Sequence, residues 1–223
     1  MGKGGSGRLY VVAKCAQTID GKIATSNGQS KWITSEETRK FSRSQRDKFD
    51  AILVGIETVI HDNPRLTGVK NTKLKKIVVD SSLRVSTKAK LFKTGNAWIV
   101  GTTKKASLRK KNELRRLNID VIECPSVSGK VSLKYLFKEL FKRGIRKLLI
   151  EGGATIIGAA LKDNLIDQLH VYIAPKIMGD SQAKSSVQGF SIKDINKICV
   201  LNIKTFKKLN TDIMVVADVY RNR

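Results

Sequence analysis

Short apolar runs alternate along the chain with amphipathic segments, and this alternation predicts strands that are followed by helices. The strand candidates are short runs rich in β-branched and leucine side chains, apolar on both faces, as is typical of a covered parallel sheet. They are residues 9–15, 50–54, 76–80, 97–101, 119–123, 145–150 and 168–174. The pattern therefore indicates repeated strand–helix units.

Amphipathic periodicity predicts the helices. In residues 132–143 the apolar side chains recur at helical spacing, and Gly144 is placed to end that helix. Thr34 and Glu37 have the spacing of a capping box, which predicts a helix from there to about residue 48. The other two helix candidates are residues 104–117 and 154–162.

The C-terminal part of the chain has a different pattern. Residues 198–208 and 212–220 indicate two long antiparallel strands around the turn at residues 209–211. The fold class expected is α/β: a mostly parallel mixed sheet with helices on both faces and a C-terminal antiparallel hairpin. Residues 8–223 are expected to form a single domain after a disordered, glycine-rich lead-in at residues 1–7.

The chain is strongly basic, with 43 Lys and Arg against 19 Asp and Glu and a formal net charge of +24. Residues 102–147 hold 14 of the basic and 4 of the acidic side chains. Such a surface is either a solvated basic face or an attractive field for phosphate-rich small ligands. Nucleic-acid binding is disfavoured, because these helices lack interleaved aromatic residues and no helix-turn-helix, RNP or zinc-finger pattern occurs.

Several protein classes are excluded by composition. No apolar stretch approaches the roughly 20 residues that a membrane helix needs, and the N-terminus lacks the apolar region of a signal peptide. Cys15, Cys124 and Cys199 are odd in number and widely spaced, which indicates reduced thiols. With only two histidines, no metal site is expected. We therefore expect a cytoplasmic protein without a metal.

Three polar turns follow predicted strands, at residues 55–67, 80–82 and 151–155. The carboxyl ends of parallel strands are where α/β folds bind ligands. The turn at residues 151–155 has two glycines before a helix, which suits either phosphate binding or a tight packing turn. The motif Asp62-Asn63-Pro64 within the first turn either contributes to a site or merely ends a helix. Together the three turns favour a long, dinucleotide-like ligand.

Three single residues have two interpretations each. Trp32 is either a stacking surface or, the interpretation favoured by Ile33 beside it, a core residue. Lys14 interrupts an apolar strand and either extends to an edge or is held in a pocket opposite a carboxylate such as Glu151. His170 alternates with apolar neighbours, which favours a structural role.

Taken together, these segments resemble the pyrimidine reductase family of riboflavin biosynthesis, which has a dihydrofolate-reductase-like fold. The resemblance is carried, in family order over about residues 9–220, by AQTIDGKIATSNGQSKWIT, DAILVGIETVIHDNPRLT, KIVVDSSLR, IEGGAT and LIDQLHVYIAPKIMGD. It implies that a ribosylaminopyrimidine 5′-phosphate is reduced to its ribitylamino counterpart by NADPH, with hydride transfer to C1′ of the ribose. It also implies a homodimer, for which the C-terminal hairpin offers an edge.

The resemblance assigns site residues position by position. Lys14 and Glu151 match the catalytic positions, where they would orient ribose hydroxyls and relay a proton. The substrate positions are matched by Ser30, Arg46, Leu66 and Glu151. The NADPH-contacting positions are matched by Ala16, Trp32, Thr58, Asp62, Ser81, Gly152, Gly153, Ala154, Thr155, Ile156, Ile157, Gly158 and Ala159. NADPH rather than NADH is also expected because a 2′-phosphate suits the basic surface.

Two features depart from the pattern of bacterial relatives. An arginine that commonly follows their Leu-Thr pair is absent after Thr67, so the substrate phosphate is expected on Arg46, Arg65 or Lys70. The deaminase signatures that bacterial enzymes fuse to this unit are also absent, as in free-standing reductases. The substrate is thus either the 2,5-diaminopyrimidinone or the deaminated aminouracil.

Two further functions compete with this one. A diverged reductase of another small substrate would share the fold, since fold does not fix function. A basic nucleic-acid-binding protein on a reductase-like scaffold would explain the charge without any catalysis.

Overall fold

One nine-stranded sheet organises the computed structural model, which describes residues 7–71, 73–94 and 98–220. The predicted lead-in at residues 1–7 lies outside the described residues except for Gly7. The strands are β1 Tyr10–Thr18, β2 Lys22–Ala24, β3 Ala51–Gly55, β4 Lys75–Val79, β5 Trp98–Thr102, β6 Asp120–Glu123, β7 Ser126–Val127, β8 Lys130–Val131, β9 Lys147–Glu151, β10 Gln168–Ala174, β11 Lys184–Ser185, β12 Leu201–Leu209 and β13 Asp212–Val219. The helices are α1 Glu36–Gln45, α2 Ile56–Asp62, α3 Leu108–Arg116, α4 Leu133–Lys142 and α5 Ala154–Lys162.

The strand order in the large sheet is β12-β13-β10-β1-β9-β3-β4-β5-β6. Every neighbouring pair from β10 to β6 is parallel, whereas β13 is antiparallel to both β10 and β12. The expected α/β fold, with its mixed sheet and C-terminal hairpin, is confirmed. Because β9 lies at the middle of the order, the ends of β1, β9 and β3 form the centre of the carboxyl edge.

Two apolar layers cover the sheet, one on each face. Leu136 and Leu140 of α4 and Ile157 of α5 pack on one face, while Leu114 of α3 and Val59 of α2 pack on the other. Alternate residues of the central strands point into opposite layers, which is why these strands are apolar at every position. Among the described residues, no helix is long and apolar enough to cross a membrane.

The structure corrects two predicted helix starts. The helix expected at the Thr34–Glu37 spacing is capped by Ser35, whose hydroxyl accepts from the Thr38 N–H at 3.3 Å, while Thr34 is buried. The helix expected from residue 104 starts after Ser107, which caps it by accepting from the Lys110 N–H. In both cases a serine with extended backbone accepts a hydrogen bond from a first-turn N–H group that has no partner within the helix.

Two short elements cover part of the carboxyl edge. β2 and β11 pair antiparallel, and the chain that follows β11 runs directly against α5. The Gln188 N–H donates to the Ala154 carbonyl, and a Cβ built on Gly158 would lie 1.8 Å from the Gln188 carbonyl oxygen. Glycine at position 158 is therefore what lets this segment approach the helix.

We expect Gly158→Ala to lower the melting temperature. Alanine gains about 1 kcal/mol over glycine inside a helix, but the contact is with backbone, and overpacking of this kind costs about 1–3 kcal/mol or more. Thermal unfolding followed by circular dichroism measures the shift. Gly7→Ala is the matched control, because a Cβ at Gly7 meets nothing within 4 Å; a higher melting temperature for Gly158→Ala would contradict the close approach.

Candidate active site

Two adjoining cavities open at the carboxyl edge of the sheet, with volumes of about 530 Å³ and about 280 Å³. The smaller lies over the ends of β1 and β9, and the larger extends across β3 and β4 towards β8. The linings of the two cavities have five residues in common, which are Ile23, Ser30, Thr58, Asp62 and Ala154. They therefore meet, and a molecule in one can contact a molecule in the other.

Lys14 and Glu151 lie side by side at the base of the smaller cavity. They are register partners on the neighbouring parallel strands β1 and β9, which points both side chains to the same face of the sheet. The Lys14 ammonium also lies 5.5 Å from the centre of the buried Tyr172 ring. Because Lys14 is on an interior strand, the structure supports the pocket interpretation of this lysine rather than an edge position.

Arg46 meets the Glu151 carboxylate with two parallel hydrogen bonds. Its Nε donates to one oxygen at 2.9 Å and a terminal nitrogen donates to the other at 2.8 Å, while its remaining terminal nitrogen donates to the Thr67 carbonyl at 2.8 Å. The Glu151 side chain is 9% exposed and that of Arg46 19%. The guanidinium fork expected to bind a phosphate is thus directed at Glu151.

Opposing effects act on the pKa of Glu151. Burial raises it, but the Arg46 guanidinium, its hydrogen bonds and the nearby Lys14 outweigh burial and hold the pKa below its usual value. Glu151 is therefore a carboxylate at neutral pH, which makes it a hydrogen-bond acceptor and a partner for positive charge. Tyr172 remains a neutral phenol, because burial raises its pKa to about 12.

The border between the two cavities is built from the turns that end β3 and β9. Gly152 has a φ of +89°, and a Cβ there would lie 3.4 Å from the Thr58 Oγ1. Asp62, at the end of α2, lies 3.8 Å from the Lys31 ammonium. The predicted turns at residues 55–67 and 151–155 thus meet in space, and Asp62 both ends a helix and lines the cavities.

The larger cavity has the features that a dinucleotide requires. Gly153 precedes α5 with a φ of +80°, no side chain caps the helix, and its first turn lines the cavity, so backbone N–H groups are available to phosphate. Ser81, which follows β4, also lines this cavity, as do Arg84 and Lys130. A cofactor with a pyrophosphate could therefore extend from the junction to the β4 end.

Most of the predicted site residues line these cavities. The smaller holds Lys14, Ala16, Ser30, Trp32, Arg46, Thr58, Asp62, Leu66, Glu151, Gly152, Ala154 and Ile157. The larger adds Ser81, Gly153, Thr155, Ile156 and Ala159. Arg65 and Gly158 line neither: Arg65 is exposed, and Gly158 packs against Gln188.

Trp32 is 62% exposed, so the favoured interpretation of this residue as part of the core is wrong. Its ring lies under the Arg39 guanidinium, at 4.2 Å from ring centre to the guanidinium carbon. It is available as a stacking surface, the alternative that composition had disfavoured. Trp32 lies in a loop at the wall of the smaller cavity, and its neighbours cover only part of the indole ring.

Sequence interpretation missed several lining residues. Arg39 and Arg43 on α1 and Arg46 directly after it recur at helical spacing, a pattern that was available in the sequence, and Arg39 lines the smaller cavity. Lys130 lies on the short β7–β8 hairpin and Lys184 on the short strand β11, which pairs with the distant β2, and only the tertiary fold brings both to the larger cavity. Their sequence neighbourhoods carry no signal for a site.

The structure also shows the surroundings of His170 and of the basic residues in 102–147. His170 is half-buried and bonded to Gln168 at 2.8 Å, and burial lowers its pKa to about 4, which agrees with a structural role. Among the described residues no cluster of His, Cys, Asp and Glu has the arrangement of a metal site. Most lysines and arginines of residues 102–147 are exposed, as a solvated basic face would have them.

Comparisons with known proteins agree on one family. A family model described as the RibD C-terminal domain matches residues 9–215. Riboflavin biosynthesis protein RibD of Actinobacillus pleuropneumoniae is 37% identical over 211 residues, covering 93% of this chain and 56% of that protein. The 2,5-diamino-6-ribosylamino-4(3H)-pyrimidinone 5′-phosphate reductase of Methanothermobacter thermautotrophicus is 33% identical over 213 residues, covering 93% of this chain and 97% of that protein.

Solved structures extend the agreement to the fold. Acinetobacter baumannii RibD superposes with a TM-score of 0.82 at 26% identity, covering 96% of this chain and 59% of that chain. The chain thus spans a little over half the length of the RibD relatives it matches and nearly all of the Methanothermobacter protein.

We expect Arg46→Met to destabilise the protein by about 3–5 kcal/mol, because it leaves the Glu151 carboxylate buried without its partner. The effect should depend on pH. In the wild type the lowered pKa of Glu151 adds stability above its unfolded pKa, and this is lost as pH falls through the folded value. In the variant only the nearby Lys14 opposes burial, so the pKa of Glu151 rises and the deficit should be largest near neutral pH and shrink on acidification.

Urea unfolding at about pH 8 and about pH 5 measures this difference. Arg109→Met, at an exposed position of α3, is the control for loss of an arginine charge. An equal deficit for Arg46→Met at both pH values would contradict the role of Glu151 ionisation.

Proposed function

Because this chain belongs to the RibD C-terminal domain family, we propose that it is an NADPH-dependent reductase acting on a ribosylaminopyrimidine 5′-phosphate in riboflavin biosynthesis. The product would be the ribitylamino compound. The observation that carries the proposal is the placement of Lys14 beside Glu151, as register partners, at the bottom of the smaller of two adjoining cavities. The larger cavity extends from the first turn of α5 to the turn after β4 and suits a dinucleotide, and the smaller has charged side chains at its bottom that suit a sugar phosphate.

The cofactor supplies a hydride, and the residues of this chain supply alignment and a proton. Reduction of an open-chain imine at C1′ places the hydride on carbon and a proton on nitrogen. Glu151 is ionised and accepts hydrogen bonds, so it orients ribose hydroxyls and stabilises positive charge on the imine nitrogen. The Lys14 ammonium is the donor beside it, which assigns the proton delivery to Lys14 rather than to Glu151.

The predicted preference for NADPH has support in the lining of the larger cavity. Arg84 and Lys130 line this cavity as Ser81 does, and the Arg84 guanidinium also pairs with Glu57. A 2′-phosphate on the adenosine ribose would meet cations there, which NADH could not exploit. Comparable affinity for NADH and NADPH would count against this part of the proposal.

The substrate is proposed to be one of two pyrimidines, the 2,5-diaminopyrimidinone or the deaminated aminouracil. The Methanothermobacter relative is named for the first. The RibD of Actinobacillus pleuropneumoniae is more identical to this chain, at 37% against 33%, but is a longer protein. We propose a cytoplasmic location for either reaction, since both the substrate and the cofactor are small charged molecules.

We propose a homodimer formed through β12. All but the last residue of this edge strand are exposed, and its exposed side chains include Phe206 at 80% and Ile203 at 64%. An unpaired edge with apolar side chains is a template for pairing with a second chain. Pairing there would extend the sheet without approaching the cavities at the carboxyl edge.

We expect Lys14→Met to lower kcat by about 10²–10⁴-fold, the usual contribution of a positioned proton donor, with little change in NADPH affinity. NADPH oxidation, measured separately with each candidate pyrimidine, identifies the substrate and compares the variant. Lys134→Met, at an exposed position of α4, is the matched control. Unchanged turnover of Lys14→Met on the substrate that the wild type uses would remove Lys14 from the mechanism.

Replacing both Ile203 and Phe206 with glutamate should yield a monomer, because like charges and lost apolar area oppose pairing at the edge. Light scattering after gel filtration compares the masses with the 24.7 kDa of one chain. Lys134→Glu controls for the change of surface charge. A wild-type monomer, or a double variant that remains dimeric, would contradict the proposed interface.

A further inference from the structure

Glu57 places a negative charge in the lining of the larger cavity, where the cofactor is expected. It lies in the first turn of α2, and its carboxylate forms an ion pair with the Arg84 guanidinium, which lines the same cavity. We propose that Glu57 competes with the 2′-phosphate of the cofactor for Arg84, and so determines how strongly NADPH is preferred over NADH. The ligand in this proposal rests on the proposed function, and the role of Glu57 goes beyond it.

A hydrogen-bonded turn after β4 fixes the backbone position of Arg84. The buried Asp80 carboxylate accepts from the Val85 N–H at 2.8 Å, which closes the turn around Arg84. The Ser81 carbonyl accepts from the Thr103 hydroxyl at 2.8 Å, which holds the turn to the end of the neighbouring strand β5. Arg84 therefore stays at the cavity, and its long side chain can change partners without moving the backbone.

Among the described residues, three Lys and Arg side chains line the larger cavity, and Glu57 neutralises one of them. Lys130 and Lys184 have no carboxylate within 4.0 Å in the part of the chain that the structure describes. Only the arginine has a planar fork that binds a phosphate with two parallel hydrogen bonds. The cation with the best geometry for a 2′-phosphate is thus the one that is already paired.

The Glu57–Arg84 ion pair is weak enough to be exchanged. The Glu57 side chain is 61% exposed and that of Arg84 48%, and exposed ion pairs contribute little because water solvates both charges well. A phosphate group carries more negative charge than a carboxylate and attracts a guanidinium more strongly. Arg84 can therefore leave Glu57 for a 2′-phosphate, whereas Arg46 is held by the nearly buried Glu151.

The Glu57 carboxylate stays beside the phosphate after such an exchange. Its second oxygen lies 3.9 Å from Nε2 of His61, one turn further along α2, and His61 also lines the cavity. Like charges at close range repel, which lowers the affinity for NADPH. NADH has a ribose hydroxyl in place of the phosphate, and a carboxylate accepts a hydrogen bond from that hydroxyl. Glu57 therefore acts against NADPH alone.

The test is the affinity of the full chain for NADPH and for NADH, measured by calorimetry without a pyrimidine. We expect Glu57→Gln to tighten NADPH binding by about 3–10-fold, the size expected for removing an exposed ion pair and a repulsion at close range. NADH binding should stay unchanged, because the glutamine amide oxygen still accepts from the ribose hydroxyl. The gain should shrink at high salt, which screens exposed charges.

A double variant measures whether Glu57 acts through Arg84. Arg84→Met should weaken NADPH binding by about 10-fold, as for loss of hydrogen bonds to a charged group, and leave NADH binding unchanged. In this background Glu57→Gln should give a smaller gain than in the wild type, because only the repulsion of the phosphate remains to be removed. Equal gains in both backgrounds would overturn the competition for Arg84.

Glu113→Gln is the matched control, since Glu113 is an exposed helical glutamate that pairs with Lys110 and lines neither cavity. It changes the net charge by the same amount, so an equal gain in NADPH affinity would overturn a local role for Glu57. Unchanged NADPH binding by Glu57→Gln, or an equal gain for both cofactors, would overturn it as well.

Failure of the proposed function is distinguishable from failure of this inference. If neither pyrimidine oxidises NADPH while Glu57→Gln tightens NADPH binding alone, the role of Glu57 stands and the reaction is another one. A wild type that oxidises NADPH with a pyrimidine, but whose discrimination between the cofactors Glu57→Gln leaves unchanged, would keep the function and overturn the role of Glu57. A wild type that binds neither cofactor would overturn both.

Discussion

Glu151 ends the central strand β9 as a carboxylate that is almost removed from water, and it remains charged there because Arg46 meets both of its oxygens. A buried ion pair contributes little stability by comparison with apolar residues, but breaking it is costly. The pair therefore acts as a constraint on geometry. It ties the end of α1 to the middle of the sheet, and so sets the position of the cavity wall relative to Lys14.

The register between neighbouring strands places the other residues of the candidate site around Glu151. Parallel pairing of β1 and β9 brings Lys14 beside Glu151, and the turns after β3 and β9 come into contact through Thr58 and Gly152. Positive φ at Gly152 and Gly153 directs the chain into α5 with its first turn uncapped and facing the larger cavity. Two cavities thus share one border, the arrangement that the proposed transfer between two bound molecules would require.

Local patterns predicted much of this arrangement. The strand at residues 168–174 and the helix at residues 154–162 have the predicted bounds, because each is a clear periodic run between strong end signals. The interpretation of Trp32 as a core residue was wrong, because a Trp-Ile pair is apolar in the sequence whether or not the fold covers it. The cap before α1 was placed one residue early, because Thr34 and Ser35 are both good caps and only burial of Thr34 decides between them.

The sequence by itself determined the order of strands and helices, the polar turns after the strands and the family resemblance that assigned most of the lining residues. These properties are local, so hydrophobic periodicity and short motifs carry them. Only the tertiary structure decided that Arg46 pairs with Glu151, that Arg39 stacks on Trp32, and that the β7–β8 hairpin brings Lys130 to the larger cavity. Charge partners are chosen by distance and burial in three dimensions, and neither quantity is encoded in the spacing of residues along the chain.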